Sequence, residues 1–338
     1  MNKMKISVLL LGLYCLTANA QNKWFQDVKL SGYGMLQYQA QDKKDAETNT
    51  FGIRLARVAL EGRSHTDFYW KAQMQISGNT KEKTAIRLVD LFGEWQRFEF
   101  LRIKAGQFKR PFTFENPMHP ITQGFMSYSQ NVTKLAGFSD RTGEQPSNGR
   151  DIGIQIQGDL LKVNGRNLLH YQIGVFNGEG INTKDEDNRK DIIGGIWVMP
   201  IEGLRIGAFG WTGSRASVGE KNRYAISAEY AKDDWTFRSE YIHSQGVGAN
   251  PDAGDKADGI YALCIAPIIK NKLHVKARYD TYRDQKSWDT SKTYYEIGAD
   301  YMFTKKLQLN IEYARVNERT TQADYNYNLV DVELDFRF

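Results

Sequence analysis

The chain has 338 residues, with 45 Lys or Arg and 40 Asp or Glu, which gives a formal net charge of +5 at pH 7. So mild a surplus is not the signature of a nucleic-acid-binding protein. Aromatic residues reach 12% of the chain although the mean hydropathy is only −0.56, a pairing that favours alternation of apolar and polar side chains over a soluble globular core.

The N-terminus has the features of an export signal. Lys3 and Lys5 precede an apolar run over residues 6–16, and Ala18-Asn19-Ala20 provides a small-residue cleavage site. The apolar run is too short to cross a bilayer as a helix. We therefore expect residues 1–20 to be removed and residues 21–338 to form one domain. Removal of the signal leaves Cys264 as the single cysteine of the mature chain, so we expect neither a disulfide nor a cysteine-based zinc site, and no cofactor.

Period-2 alternation along the mature chain predicts β-strands. Between Asp67 and Ser77, apolar residues from Phe68 to Ile76 occupy every second position, and polar residues such as Lys71 occupy the others. Successive side chains of a strand point to opposite faces, so this segment has one apolar and one polar surface. The pattern predicts about sixteen strands, at residues 28–40, 51–63, 67–77, 85–96, 100–107, 151–160, 168–177, 191–199, 204–213, 222–232, 235–245, 257–268, 273–283, 293–303, 307–318 and 327–338.

The connections between these strands alternate between short and long. Short turns such as 233–234 and 304–306 alternate with long polar segments such as 178–190 and 246–256. This asymmetry is typical of outer-membrane barrels, and lipid leaves no partner for an unpaired sheet edge. We predict an all-β fold, a transmembrane antiparallel β-barrel with both termini in the periplasm. A soluble sandwich explains the alternation but not the two classes of connection, and a propeller would show a blade repeat.

The last strand carries apolar residues at alternate positions up to the C-terminal Phe338. Leu334, Phe336 and Phe338 are similar to a recognition signal for the barrel-assembly machinery. The alternative is that they are only the lipid-facing side of the strand. Either interpretation predicts residence in the outer membrane of a Gram-negative bacterium.

Three motifs resemble the phosphate-selective porin O and P family. They are Ile103-Lys104-Ala105-Gly106-Gln107-Phe108-Lys109-Arg110-Pro111-Phe112, Arg150-Asp151-Ile152-Gly153 and Phe176-Asn177-Gly178, and the resemblance covers most of the mature chain. The family implies a homotrimer of 16-stranded barrels. Each barrel would have its own pore, narrowed by a third extracellular loop that folds inward.

The third extracellular loop is predicted at residues 109–149, far longer than the others. A loop of this length is usually functional or disordered. Pro111, Pro117 and Pro120 stiffen it, and aromatic residues such as Phe112 and Phe125 would be poorly placed in water. We therefore expect the loop to fold into the lumen as a constriction. A lid over the mouth, or a contact with another subunit, is the alternative.

The pore candidates are cationic, since Arg and Lys on a pore wall attract phosphate and carboxylate groups. They are Lys71, Arg87, Arg102, Lys104, Lys109, Arg110, Arg141 and Arg150. Opposing acidic candidates are Asp67, Asp90, Glu94, Glu229, Glu240, Asp280, Glu296 and Asp300. Because only Arg110 and Arg141 lie well inside the loop, we expect passive diffusion of small hydrophilic solutes with a possible anion preference, ahead of strict phosphate selectivity.

Two other functions stay open. A surface receptor or adhesin barrel without an open pore would use the long loops for binding. A barrel enzyme is a weaker alternative, because the chain has no Gly-x-Ser-x-Gly or His-Glu-x-x-His motif. The expected partners are outer-membrane lipid, the barrel-assembly machinery, small hydrophilic solutes or anions, and two further copies of the chain. We expect no nucleic-acid partner.

Overall fold

The computed structural model describes residues 26–64, 66–78, 86–138, 148–215, 219–246 and 255–338. These residues contain sixteen β-strands, one α-helix and one 3₁₀ helix. The strands are β1 Gln26–Gln41, β2 Thr48–Ser64, β3 Phe68–Gly78, β4 Arg87–Phe98, β5 Leu101–Lys109, β6 Arg150–Val163, β7 Arg166–Phe176, β8 Asp191–Val198, β9 Leu204–Arg215, β10 Gly219–Lys232, β11 Trp235–Gly246, β12 Lys256–Ile269, β13 Leu273–Asp284, β14 Ser291–Thr304, β15 Leu307–Arg319 and β16 Asp324–Arg337. The α-helix, α1, is Gln130–Leu135, and the 3₁₀ helix is Trp288–Thr290.

The strands form one closed antiparallel barrel. Each strand pairs with its neighbours in sequence, and β1 also pairs with β16, where Leu36 lies opposite Leu334. Closure gives every strand two neighbours, so the sheet has no edge to expose to lipid. The predicted fold class is confirmed, and each predicted strand coincides with an observed one to within three residues.

The two faces of the wall differ as the alternation predicts. On β10, Ile226 points outward with 57% of its surface exposed, while its neighbour Ser227 is buried on the inner side. The apolar outer face suits hydrocarbon, and the inner face carries charged residues such as Arg238 and Arg278. Charged side chains of this inner face are the ones that reach the long connection between β5 and β6.

The C-terminal aromatic residues pack against the first strand. The ring of Phe336 lies over Gly34, where a Cβ atom would come within 2.3 Å of the ring, and Phe338 covers Gly32 in the same way. The two glycines therefore leave the space that the rings fill on the outer surface. This packing explains the terminal aromatic residues structurally, and their proposed role in assembly stays a prediction.

The segment between β5 and β6 contains the described helix. Ser129 caps α1 by accepting a hydrogen bond from the backbone N–H of Val132 at 3.3 Å. The all-β prediction did not include this helix, since six residues are too few to show an amphipathic period. No helix among the described residues is long and apolar enough to cross a membrane. The predicted export signal, residues 1–20, lies outside the described residues.

The outward face of β10 provides a test of the membrane-facing assignment. Changing Ile226 to Arg should lower the free energy of unfolding in lipid bilayers by about 2–4 kcal/mol, because it places a charge near the middle of the hydrocarbon band. Chemical denaturation of protein refolded into vesicles measures the change. Ile226→Leu, which keeps the apolar surface, is the control and should be nearly neutral. Equal stability of the Arg and Leu variants would contradict the assignment.

Candidate functional site

The described parts of the long loop, residues 110–138 and 148–149, contact the inner face of the wall across several strands. Its backbone N–H groups are bound by carboxylates of β11, β13 and β15. Glu240 accepts hydrogen bonds from the N–H groups of Phe114 at 2.7 Å and Glu115 at 2.8 Å. Asp280 accepts from Gln130 at 2.8 Å, and Glu312 accepts from Met126 at 2.9 Å. These wall carboxylates therefore satisfy loop donors that no strand pairs.

Cationic side chains of the same wall bind the loop's carbonyl groups. Arg223 on β10 donates to the carbonyl of Leu135 at 2.8 Å. Arg278 on β13 donates to the carbonyl of Ser127 at 2.8 Å, and a second guanidinium nitrogen donates to the Ser127 hydroxyl at 3.0 Å. Further donors of this kind are Lys276, to Gly124 at 2.9 Å, and Arg238, to Gln123. Because both signs of charge bind loop backbone, these wall residues act as anchors for the loop.

Aromatic side chains complete the attachment of the loop. Phe112 makes edge contacts with Phe209 and Trp211, with ring centroids 6.4 and 5.6 Å apart, and its side chain is fully buried. Phe125 lies beneath the guanidinium of Arg278, whose central carbon is 4.4 Å from the ring centroid. The apolar residues that would be unfavourable in water are thus covered by the wall of β8–β13.

Arg110 is part of this attachment and does not line an open passage. Its guanidinium is 2.9 Å from a carboxylate oxygen of Asp151, and Arg110 is only 1% exposed. Gly137 lies against it with a φ of 79°, and a Cβ there would come within 2.0 Å of the guanidinium. The prediction of Arg110 as a pore residue is therefore wrong: a buried ion pair joins the two ends of the loop.

The opposite side of the loop borders three cavities of about 310, 230 and 380 Å³. The first and second share Arg57, Lys109 and Arg150, and the second and third share Arg54 and Ser127. Because each cavity shares lining residues with the next, the three cavities lie side by side along the loop. We call this row of cavities the cationic passage.

Positive charge predominates along the cationic passage. Its basic lining residues are Arg54, Arg57, Lys71, Lys104, Lys109, Arg150 and Arg278. Its acidic ones are Asp90, Asp280 and Asp331. Asp90 is bound to Arg150 at 2.7 Å, and Asp280 accepts the loop N–H of Gln130. Among the described residues, the lining of the cavity of about 230 Å³ has no carboxylate.

The predicted pore cations lie in several places. Four of them line the cationic passage: Lys71, Lys104, Lys109 and Arg150. Arg102 forms an ion pair with Asp159 at 2.6 Å. Arg87 is the first residue of β4 and does not line any of the three cavities. Arg141 lies outside the described residues. Their role in conduction stays a prediction.

Arg54 and Arg57 line the passage but were missed from the sequence. A β-bulge lies between β1 and β2, where Met35 is opposite Leu55 and Leu36 is opposite Ile53, so Arg54 is an extra residue. Arg54 thereby reaches Glu333 on β16 at 3.0 Å, and Ile53 returns to the outer face with 43% exposure. Strict alternation would place Ile53 inside. A bulge breaks the period, so no sequence signal identified this arginine.

Several loop groups facing the passage have a defined protonation state. Burial raises the pKa of the Tyr128 phenol, which therefore stays protonated and donates to the carbonyl of Met118 at 2.7 Å. Desolvation in the narrow space, and then the charge of Lys109, lower the pKa of His119. Its imidazole is neutral at pH 7. This imidazole therefore adds no positive charge to the passage.

Two protein families match the chain over adjoining parts of this barrel. The family described as phosphate-selective porin O and P matches residues 29–188, and the family described as Gram-negative porin matches residues 169–321. The matches overlap and together span residues 29–321. The chain is therefore similar to Gram-negative porins over most of its length. The family resemblance, the porin function and the outer-membrane location predicted from the sequence are thereby confirmed.

Solved structures agree with the fold of this porin. The anion-selective porin from Comamonas acidovorans is 14% identical, with 92% of this chain and 99% of that chain covered and a TM-score of 0.66. Salmonella typhi OmpF in complex with daunomycin is 12% identical over 94% and 99% of the two chains, with a TM-score of 0.68. The trimer form of Vibrio cholerae OmpT is 14% identical over 92% and 99%, with a TM-score of 0.58. No curated protein matches this chain significantly.

Removal of one wall carboxylate tests the attachment of the porin's loop. Changing Glu240 to Ala leaves the N–H groups of Phe114 and Glu115 without their acceptor, so we expect a loss of about 3 kcal/mol in unfolding free energy. The loop should also become more sensitive to protease in the folded barrel. Fragment analysis after brief proteolysis, together with denaturation, measures both effects.

Asp300→Ala is the matched control. Asp300 is also an inward carboxylate, but it accepts from His274 at 3.0 Å and Gln308 at 3.4 Å, both on the wall. Its removal should leave loop cleavage unchanged. Equal protection of the loop in the Glu240 and Asp300 variants would show that Glu240 does not anchor it.

Proposed function

We propose that this porin is a passive channel for small hydrophilic solutes that prefers anions, and that residues 109–149 form its constriction inside the lumen. The observation that carries the proposal is the lining of the cationic passage, in which, within the part of the chain that the structure describes, seven basic side chains accompany three acidic ones. A pore selects ions by its width and by the charges on its wall. A narrow, positively charged passage concentrates anions and opposes cations.

The contacts of the loop support its role as the constriction. Its attachments reach β10, β11, β13 and β15, which lie across the barrel from β5, where the loop begins. The partners are residues of the polar inner face. A lid over the mouth would contact strand ends and other loops, whereas Glu240 and Asp280 belong to the middle part of their strands.

Several observations favour a general anion channel over strict phosphate selectivity. The three cavities have different mixtures of side chains, and the one of about 380 Å³ includes Gln37, Gln39 and Asp331. The side-chain amides of Gln37 and Gln39 each donate a hydrogen bond to Asp331 at 2.9 Å. The carboxylate and the two amide carbonyl oxygens are hydrogen-bond acceptors at that end of the passage. The anion preference rests on this lining, since the anion-selective Comamonas porin is similar to this chain only in fold.

The porin family indicates a channel rather than an enzyme, and we propose that the barrel has no catalytic activity and is not a closed receptor. We further propose that it is a homotrimer in outer-membrane lipid, as the trimer form of Vibrio cholerae OmpT has the same fold. Insertion by the barrel-assembly machinery, through Leu334, Phe336 and Phe338, is part of the same proposal.

Planar-bilayer recording of the purified porin tests the function. We expect open ohmic channels whose reversal potential in a KCl gradient indicates preference for chloride. Changing Arg57 to Gln should lower the chloride-to-potassium permeability ratio about two- to fivefold, because it removes one unit charge beside the ion path. Arg57 suits this test because its guanidinium donates to a neutral group, the side-chain amide oxygen of Gln75, at 3.0 and 3.2 Å.

Arg205→Gln is the matched control. Arg205 also points inward, but it pairs with Glu229 at 2.8 Å and lines none of the three cavities. Its substitution should leave the reversal potential nearly unchanged. Cation preference of the unmodified porin would contradict the anion proposal, and a barrel that inserts but conducts no current would favour the receptor alternative.

A further inference from the structure

The cavity of about 310 Å³ has two chemically different kinds of lining. Its basic residues are Arg57, Lys71, Lys104, Lys109 and Arg150. Its aromatic and apolar residues are Tyr33, Tyr69, Phe92, Phe108, Pro117, Met118 and Pro120. The acidic member, Asp90, is bound by Arg150 at 2.7 and 3.1 Å. The cavity therefore offers both a site for a negative charge and a surface for an apolar group.

The aromatic rings are arranged as one connected surface. Tyr69 and Phe92 have ring centroids 6.0 Å apart, and Phe92 and Phe108 have centroids 5.9 Å apart. The ammonium of Lys104 lies 5.0 Å from the centroid of Phe92 and 5.3 Å from that of Phe108. Tyr69 and Phe92 are only partly buried, so parts of their rings face the cavity. A ring that stacks there would be within reach of the Lys104 charge.

Two of the cations have only distant acidic partners. The ammonium of Lys71 is 3.7 Å from Glu61, and that of Lys104 is 3.7 Å from Glu94. Both distances exceed those of a strong charge-assisted hydrogen bond. An anion in the cavity can therefore receive short hydrogen bonds from these lysines without displacing tight ion pairs.

The size of the cavity excludes a close fit to a small inorganic anion. Cavities that bind organic ligands begin at about 300 Å³ and are lined mainly by apolar and aromatic side chains with a few polar groups. A chloride or phosphate ion would contact the basic residues and leave the aromatic surface to water. An anion with a ring fills both parts.

We infer that this cavity is a binding subsite for organic monoanions that carry an aromatic or other apolar ring next to a carboxylate. This inference rests on the proposed anion channel and names the class of solute that it favours. The carboxylate is held by Lys71, Lys104 and Arg57, and the ring stacks on Tyr69 and Phe92. Loop residues Pro117 and Met118 close the opposite side.

Current block in planar bilayers tests the inference with benzoate as the probe. Added to open channels in KCl, benzoate should halve the chloride current at a concentration about tenfold lower than acetate does, since both have one carboxylate and only benzoate has a ring to bury. It should also act at a lower concentration than inorganic phosphate. Equal potency of benzoate and acetate, or greater potency of phosphate, would overturn the inference.

Phe92→Ala separates the ring-binding surface from the anion path. This variant should lose most of the difference between benzoate and acetate. Phe237→Ala, at a residue whose side chain is 44% exposed on the outer face, is the control and should keep the difference. If the Phe92 variant does not insert as an open channel, the more conservative Phe92→Leu, which removes the ring but keeps an apolar side chain, gives the same comparison. An undiminished difference in the Phe92 variant would overturn the assignment of this surface.

The same recordings distinguish failure of the inference from failure of the proposed function. A porin with anion preference and no benzoate effect retains the proposed function and loses the subsite. A porin with cation preference contradicts the proposed function itself.

Discussion

The loop between β5 and β6 can lie against the inner wall only if its backbone N–H and C=O groups find partners there. An unpaired backbone group away from water costs as much as a lost hydrogen bond. In this porin, the partners are charged side chains of the wall: Glu240 and Asp280 accept from N–H groups, and Arg223 and Arg278 donate to carbonyls. One of these side chains, Arg278, also forms an ion pair with Glu296 of the wall. The position of the passage depends on this attachment.

Because the loop is attached to one side of the inner wall, the charged residues of the inner face have two roles. Charged residues of β10–β15 hold the loop. Of the seven described basic residues along the passage, six belong to β2–β6, and the seventh, Arg278 of β13, also binds the loop. Because acidic residues under the loop bind its backbone, an excess of positive charge remains along the cationic passage. The proposed anion preference and the proposed organic-anion subsite are both consequences of this division.

The strands were predictable because a long period-2 pattern is a strong signal, and the contact between apolar residues and lipid requires it. The inward direction of Glu240 and Asp280 was predictable for the same reason. Their role was not, since alternation shows which face a carboxylate occupies but not which loop N–H comes near it. The acidic candidates were predicted to oppose the pore cations, and two of them, Glu240 and Asp280, bind N–H groups of the loop.

Errors in the predicted site have local causes. Arg54 was not predicted because a bulge at β2 interrupts the alternation. Arg110 was assigned to the pore because its partner, Asp151, is 41 residues away in the sequence and could not be identified from it. The helix at residues 130–135 is too short to show a period and forms where Ser129 caps it within the loop. Local pattern therefore predicted the wall, while contacts between distant segments determine the site.

The face that the loop presents to the passage is open to direct measurement by thiol labelling in a Cys264→Ala background. Ser127 is exposed and lines the passage, whereas Val132 is 1% exposed and packs against the wall. An anionic methanethiosulfonate reagent should therefore reduce the single-channel current of the Ser127→Cys porin and leave that of Val132→Cys unchanged. Reaction at Val132→Cys with none at Ser127→Cys would contradict this placement of the loop.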